Sequence, residues 1–216
     1  MMKIKGIILT KELNFPNLIY QLGGNKMFRI IFLISILLLS CKSDLPVKGE
    51  FPDLTLIDQN GREFSFSGVR GKVLVVAYIY TNCPDICHVI SKKMNVFKGR
   101  LKEIGLQDKV YFISITFDPE RDTPDVLRHH AKMMNLDLHN WFFVTGDENS
   151  VNSTIEVAGM EAIKGPIEFN ADGDQSYLIT HRDRISLLDK KGRIRKHYKG
   201  SEFDPDELLE DIKGLL

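Results

Sequence analysis

The sequence predicts an α/β fold in which a central mixed sheet is flanked by helices. Three observations predict this class: strands alternate with helices, a short hairpin precedes them, and a second hairpin followed by a helix ends the chain. With 216 residues, of which 43% are hydrophobic, the chain has the length of one domain with a substantial core plus a short leader. We expect that domain to span residues 51–216.

The first elements of the domain are a hairpin and a buried strand. Leu54–Asp58 and Glu63–Phe66 flank Asn60-Gly61, which is the strongest short hairpin signal, so this pair should cap one edge of the sheet. Val73–Tyr80 is a continuous β-branched and aromatic run, typical of a central strand buried on both faces.

A helix should follow this strand, from Cys83 to about Ile104. Pro84 suits a first helical turn, and Asp85 complements the positive end of the helix dipole. Two cysteines, Cys83 and Cys87, therefore lie at a helix N-terminus.

The rest of the domain continues the alternation. The predicted elements are a strand over 110–117, a helix over 123–135, a strand over 141–145 with Trp141 in the core, a helix over 147–158, hairpin strands over 184–188 and 193–198, and a last helix from 204. Residues 159–175 form an insertion without a predicted element. This order is thioredoxin-like, with the first hairpin as an N-terminal addition.

Charge and cysteine content exclude two classes of protein. Lys+Arg and Asp+Glu number 29 each, and the basic residues are scattered, so no basic stripe would attract nucleic acid. The three cysteines are too few for a disulfide scaffold. We assign Cys41 to targeting and the other two cysteines to chemistry.

The residues before the domain predict export. A basic start, an apolar run over Ile30–Leu39 and the small residue Ser40 have the layout of a secretory signal, which we place at residues 27–40. The run is too short to span a bilayer, which needs roughly 20 apolar residues. Residues 1–26 contain no recognisable motif and are expected to be an upstream extension, with Met27 as the true start.

Cys41 is the expected lipid attachment site. The segment Leu38-Leu39-Ser40-Cys41 resembles a bacterial lipobox, in which cleavage precedes the cysteine and lipid is attached to it. The alternative is an uncleaved hydrophobic anchor with an incidental cysteine. Both alternatives place the domain outside the cytoplasm, in the cell envelope, with residues 41–50 as a tether.

Cys83 and Cys87 are the main candidates for chemistry. They are four residues apart, so on a helix they lie on one face, within reach of a shared ion or of each other. A helix N-terminus favours thiolates, which both attack disulfides and bind metals. Soft thiolates select Cu(I), whereas a closed structural Zn(II) site needs four protein ligands. The residues alone leave open a redox pair, a metal site or two inert buried cysteines.

Three segments resemble the Sco/SenC family, the copper chaperones of cytochrome c oxidase assembly. Tyr80–Cys87 is similar to that family's YTxCPxxC segment, and Ile113–Pro124 resembles its SxDPxRDTP segment. Tyr177–His181 stands where the family carries a histidine ahead of the last hairpin. The three segments occur in order and extend over the whole domain.

The resemblance implies a thioredoxin-like fold and a copper site formed by Cys83, Cys87 and His181. One copper ion per chain, as Cu(I) and/or Cu(II), would suit two soft sulfurs and a borderline nitrogen. His181 could otherwise be an ordinary loop histidine. Asp118, which follows a buried strand, could orient a metal ligand by a hydrogen bond without itself contacting the metal, although turn capping before Pro119 explains this aspartate equally well.

Two residues depart from the family pattern. His88 replaces the proline that commonly follows the second cysteine, and Thr180 replaces the aspartate that commonly precedes the histidine, which puts the orientation of His181 in doubt. We expect His88 to face solvent, because adjacent helix positions point about 100° apart. Three histidines without a partner in the sequence are expected at the surface: His129, His130 and His139.

The resemblance implies a metallochaperone that delivers copper to the binuclear copper site of an oxidase subunit. The alternative is a thiol–disulfide oxidoreductase that reduces the cysteines of that subunit with the same Cys83–Cys87 pair. Against a general disulfide reductase, no proline lies between Pro166 and Pro205, where thioredoxins carry one opposite the cysteines. A peroxiredoxin activity fits the paired cysteines poorly. Copper loading also implies a reducing thioredoxin-like partner, because an oxidising compartment would convert the dithiol to a disulfide.

Overall fold

The computed structural model describes residues 45–169 and 175–216. Its strands are β1 (Gly49–Glu50), β2 (Leu56–Asp58), β3 (Glu63–Phe64), β4 (Val73–Ile79), β5 (Val110–Thr116), β6 (Trp141–Thr145), β7 (Ala162–Lys164), β8 (Glu168–Phe169), β9 (Gln175–Ser176), β10 (Ile179–His181), β11 (Ile185–Leu188) and β12 (Arg193–Tyr198). Its helices are a 3₁₀ turn (Ser67–Val69), α1 (Ile86–Glu103), α2 (Pro124–Met133), α3 (Glu148–Val157) and α4 (Pro205–Leu215).

A mixed sheet forms the centre of the domain, as predicted. In the described part of the chain it has eight strands in the order β1-β12-β11-β4-β5-β6-β2-β3. Strands β4, β5 and β6 are parallel, and the two hairpins extend the sheet on opposite sides with antiparallel strands. Every residue of β4 is buried, which explains its unbroken apolar sequence.

The expected core positions are confirmed for Trp141, which is fully buried. Its indole nitrogen donates a hydrogen bond to the Ser114 hydroxyl at 3.0 Å, so the polar atom of this large ring has a partner inside the core. The helices α2, α3 and α4 begin after the capping side chains of Thr123, Asp147 and Asp204. Each of these side chains accepts a hydrogen bond from a backbone N–H group in the first turn of its helix.

Helix α1 begins at Ile86, three residues later than predicted. Cys83 precedes Pro84, and the proline ring disfavours helical backbone angles in the residue before it. Asp85 is also non-helical, with φ −136° and ψ −93°. Cys83 therefore lies in the turn before the helix, where its N–H donates to the Tyr80 carbonyl at 3.2 Å, while Cys87 lies in the first helical turn.

The folded domain begins before Phe51. Gly49–Glu50, which we expected in a tether, pairs with β12 as an edge strand, and the Lys48 N–H donates to the Ile194 carbonyl at 2.8 Å. The predicted signal, the start at Met27 and the lipid site Cys41 lie outside the described residues. Among the helices that the structure describes, none combines the length and apolar character required to cross a bilayer.

The insertion over 159–175 contributes a strand that supports the candidate site. Strand β7 pairs with β10 in a small antiparallel sheet, in which Ala162 lies opposite His181 and Lys164 lies opposite Ile179. Neither strand was predicted. Their pairing fixes the backbone that carries His181.

Candidate metal centre

Cys83, Cys87 and His181 meet at one end of the central sheet. One ligand atom from each of them lies within 4.8 Å of the other two, and both cysteines are buried and free of disulfide bonds. In the described part of the chain, this is the one grouping of three metal-ligating side chains that could share an ion. Two sulfurs and an imidazole are a donor set suited to a soft or borderline metal.

Asp122 holds the turn that carries Cys83. Its carboxylate accepts hydrogen bonds from the Thr81 N–H at 3.0 Å, from the Thr81 hydroxyl, and from the Thr116 hydroxyl at 2.6 Å. Asp122 is 1% exposed, and burial raises the pKa of its carboxyl group. The turn before α1 is thus tied to the end of β5. The sequence signal for Asp122 was its place in the RDTP segment of the resemblance, but it was not singled out as a site residue.

The imidazole of His181 is fixed in orientation by its ring contacts and by one hydrogen bond. Its centre lies 4.4 Å from that of Phe117 and 5.9 Å from that of Tyr80. The Nδ1–H group donates a hydrogen bond to the Arg182 carbonyl at 3.1 Å, and Nε2 lies 3.9 Å from the Cys87 sulfur. The hydrogen bond at Nδ1 assigns the lone pair of the neutral ring to Nε2, on the side of the sulfurs.

The same contact answers the doubt raised by Thr180. Thr180 is exposed, and the backbone carbonyl of Arg182 serves as the hydrogen-bond partner of the His181 ring. A carbonyl oxygen is one of the usual partners of the distal nitrogen of a metal-binding histidine. No carboxylate at position 180 is needed to orient the ring.

The environment of the two cysteines favours a thiolate at Cys83 and a thiol at Cys87 by shifting their pKa values in opposite directions. A hydrogen bond from the Cys87 thiol, with a further one from His181, lowers the pKa of Cys83 to about 3. The shared proton, together with burial, raises the pKa of Cys87. Burial lowers the pKa of His181, but the neighbouring Cys83 thiolate outweighs burial and raises it overall. A metal bound here would displace protons from Cys87 and His181.

Asp118 holds the segment that leads to His181. Its carboxylate accepts hydrogen bonds from the Tyr177 hydroxyl at 2.7 Å and from Arg121, whose guanidinium group lies 3.4 Å from the Tyr177 ring centre. Arg121 also donates to the Tyr177 carbonyl at 3.2 Å. Asp118 contacts Tyr177, in the segment before β10, and is not hydrogen-bonded to a ligand atom of the trio in the described structure. That Asp118 orients a metal ligand therefore stays a prediction.

The histidines outside the trio have mixed locations. His129 and His139 are exposed as expected, but the prediction for His130 is wrong, since it is 9% exposed. His88, which we expected to face solvent, is instead half-buried, because its ring packs beside His130 with the ring centres 5.4 Å apart. Burial, together with the nearby His88, lowers the pKa of His130.

Comparison with known proteins places this chain in a family. The sequence profile of the SCO1/SenC family matches residues 43–216. The chain belongs to the SCO1/SenC family. The SCO2-like protein of Rickettsia typhi is 35% identical over 162 residues, which are 74% of this chain and 74% of that protein.

Solved structures of SCO1/SenC proteins confirm the thioredoxin-like fold. Bradyrhizobium japonicum ScoI with copper bound is 29% identical with a TM-score of 0.64, and the match covers 79% of this chain and 100% of that one. BsSco, in which a disulfide switch was identified, is a member of the Sco family of cytochrome c oxidase assembly proteins. It is 26% identical with a TM-score of 0.64, over 79% of this chain and 95% of that one.

Proposed function

We propose that this SCO1/SenC protein binds one copper ion through Cys83, Cys87 and His181 and delivers it to the binuclear copper site of cytochrome c oxidase. The observation that carries the proposal is the approach of these three ligand atoms to within 4.8 Å of one another. The copper-bound ScoI structure and the description of BsSco as an oxidase assembly protein support both the ion and the destination.

The residues around the trio prepare it to take up and release an ion. The lowered pKa of Cys83 favours a thiolate before the metal arrives, and the Nδ1 hydrogen bond to Arg182 directs Nε2 of His181 toward the sulfurs. Two sulfurs and one nitrogen suit Cu(I) and tolerate Cu(II). Because three ligands leave a coordination position open, a cysteine of the acceptor subunit could bind before the donor sulfurs leave.

Anaerobic copper titration of the reduced full chain tests the proposal. We expect one equivalent to bind tightly in the wild type, with a thiolate-to-Cu(II) absorption band when Cu(II) is used. Cys83→Ala/Cys87→Ala should abolish this binding, and His181→Ala should weaken it, because it removes one of the three proposed ligands. The double variant retains Cys41 and so controls for copper bound by that thiol.

Two results would count against the copper site. If the wild type bound copper no better than the Cys83→Ala/Cys87→Ala variant, the trio would not be a copper site. If His181→Ala bound copper as tightly as the wild type, the two sulfurs alone would hold the ion. A matched control is His139→Ala, because His139 is exposed and should leave the titration unchanged.

A thiol–disulfide oxidoreductase is the second candidate, favoured by the low pKa of Cys83. The Cys83 thiolate would attack a disulfide of the oxidase subunit and displace one cysteine as a thiolate, which takes the proton of Cys87. The Cys87 sulfur would then attack Cys83, leaving a Cys83–Cys87 disulfide in this protein and a reduced dithiol in the subunit. This cycle does not use His181, so disulfide reduction that persists in His181→Ala without copper binding would favour it.

The location and the remaining partners are part of the proposal. Cys41 would carry the lipid that anchors the domain to a membrane outside the cytoplasm, and a thioredoxin-like protein would reduce the Cys83–Cys87 pair. Mass spectrometry of membrane-extracted protein tests the anchor: a mature chain that begins at Cys41 with added acyl mass is expected, and Cys41→Ser should release the domain. An unmodified Cys41 in an uncleaved chain would contradict the lipoprotein assignment.

A further inference from the structure

Two histidines beside the trio form a second cluster of metal-ligating side chains. His88 follows Cys87 in the first turn of α1, and His130 lies in the last turn of α2. Their ring centres are 5.4 Å apart and the ring planes are inclined at 44°. The two helices thus bring together residues that are distant in sequence.

The buried member of the pair has an unused nitrogen. His130 is only 9% exposed, and its Nε2 has no hydrogen-bond partner within the part of the chain that the structure describes. A buried polar atom without a partner is unfavourable, because it has given up its hydrogen bonds to water. The ring of Phe143 lies on one side of His130, with the ring centres 6.3 Å apart, and it offers no polar atom. A metal ion bound at Nε2 would satisfy this nitrogen.

The separation of the two rings suits a shared ion. Two imidazoles that each bind a metal at about 2.0 Å place their ring centres roughly 5–6 Å apart when the angle at the metal is wide. The observed 5.4 Å lies in this range. His88 is half-exposed, so solvent could supply a further ligand and the ion could enter from outside.

We propose that His88 and His130 form a second, weaker copper site of two imidazoles next to the cysteine and histidine trio. Imidazole nitrogens bind copper in both oxidation states, but without a thiolate the site holds Cu(I) less strongly than the trio does. The proposal extends the proposed function, since it concerns a second position for the same ion. Cys87 and His88 are adjacent, so the two positions would share the first turn of α1.

Copper stoichiometry of the reduced full chain tests the second site. Anaerobic Cu(I) titration against a chromophoric Cu(I) chelator is compared among the wild type, His88→Ala, His130→Leu and His129→Ala. His129→Ala is the matched control, because His129 precedes His130 on the same helix and is exposed. We expect two equivalents for the wild type and the control, and loss of the weaker equivalent in His88→Ala and His130→Leu.

Proton NMR of the histidine ring resonances supplies a second readout that does not depend on stoichiometry. The second equivalent should shift the rings of His88 and His130 but not those of His129 and His139. Circular dichroism shows whether His130→Leu is folded. If it is not, His88→Ala alone tests the second site. Failure of the second equivalent to respond to His88→Ala, or uptake by the wild type of a single equivalent that does not depend on His88, would overturn the second site.

The outcomes separate this inference from the proposed function. A single equivalent that depends on Cys83 and His181 would refute the second site and leave the proposed function intact. A single equivalent that survives loss of the cysteines and disappears in His88→Ala would support the histidine site and refute the trio.

Discussion

Replacing Asp122 with alanine should destabilise the domain and loosen the turn that carries Cys83. The buried carboxylate accepts hydrogen bonds from the Thr81 N–H, the Thr81 hydroxyl and the Thr116 hydroxyl. The change leaves the Thr81 amide and the Thr116 hydroxyl without this acceptor, which destabilises the folded state by about 1–3 kcal/mol for each group. It also removes the cost of burying a charge, which offsets part of this loss. We expect a net loss of about 2–4 kcal/mol in the free energy of unfolding.

Urea denaturation of the wild type, Asp122→Ala and the control Asp125→Ala measures this loss. Asp125 lies nearby in the first turn of α2, but its side chain is 81% exposed and pairs with Arg128 at the surface. Its removal should change the free energy of unfolding by less than about 1 kcal/mol. A loss for Asp122→Ala no larger than that of the control would show that Asp122 does not hold the turn.

The pH dependence gives an independent check on Asp122. Burial raises the pKa of its carboxyl group above the unfolded value of about 3.9. The folded wild type therefore binds a proton more readily, so its stability rises as the pH falls through the folded pKa, and this gain is complete below the unfolded pKa. Asp122→Ala lacks the gain, so the difference between the two proteins should be larger at about pH 4 than at about pH 7. A difference that shrinks on acidification would refute the reasoning.

Three further changes test the packing and charge of the domain. Gly200→Ala should cost about 1–3 kcal/mol in thermal denaturation, because its Cβ would lie 2.5 Å from Asp183 Oδ1 and 2.9 Å from Ile90 Cδ1. Gly99→Ala should instead stabilise by about 0.5–1 kcal/mol, since position 99 is an exposed interior position of α1 whose Cβ would meet no atom within 4 Å. An unchanged melting temperature in either variant would contradict these two expectations. Burial raises the pKa of Asp189, but hydrogen bonds from two arginines outweigh it and lower the pKa. Its stabilisation should be present above the unfolded pKa and lost as the pH falls through the folded value, so wild type and Asp189→Asn should converge in acid denaturation.

The central strands were predictable because each carries its own signal. Every residue of Val73–Ile79 is buried, and β5 and β6 have the same apolar character, so position in the sheet and local sequence agree. Strands β7 and β10 were not predicted, because each has three residues and their pairing joins segments that are distant in the chain. Their residues show no period of alternating polarity that would identify a partner.

The candidate site was predictable in part. The spacing of Cys83 and Cys87 predicted that they would share one ion or react with each other, but His181 was assigned through the resemblance alone. His130 had a signal that was not used: it follows the buried Leu127 by three residues and directly precedes the buried Ala131, so it lies at the buried face of α2. Its polar residue type suggested the surface. The arrangement of α2 against α1, which no local pattern encodes, brought it to His88.

In the proposed copper site, the histidine of the trio would link metal binding to the folded state. Cys83 and Cys87 are four residues apart and remain close in an unfolded chain, so an ion can bind both sulfurs before folding. His181 is 94 residues from Cys87 and joins them only when β10 pairs with β7 and the Asp118 and Asp122 contacts are formed. An ion that binds the native state alone stabilises it, by about 2.7 kcal/mol at 100 times the dissociation constant, and binding to the unfolded state reduces this effect. If the proposed site holds copper, the imidazole is therefore the ligand that would make copper affinity depend on the fold, and release of its strand would weaken the site during transfer.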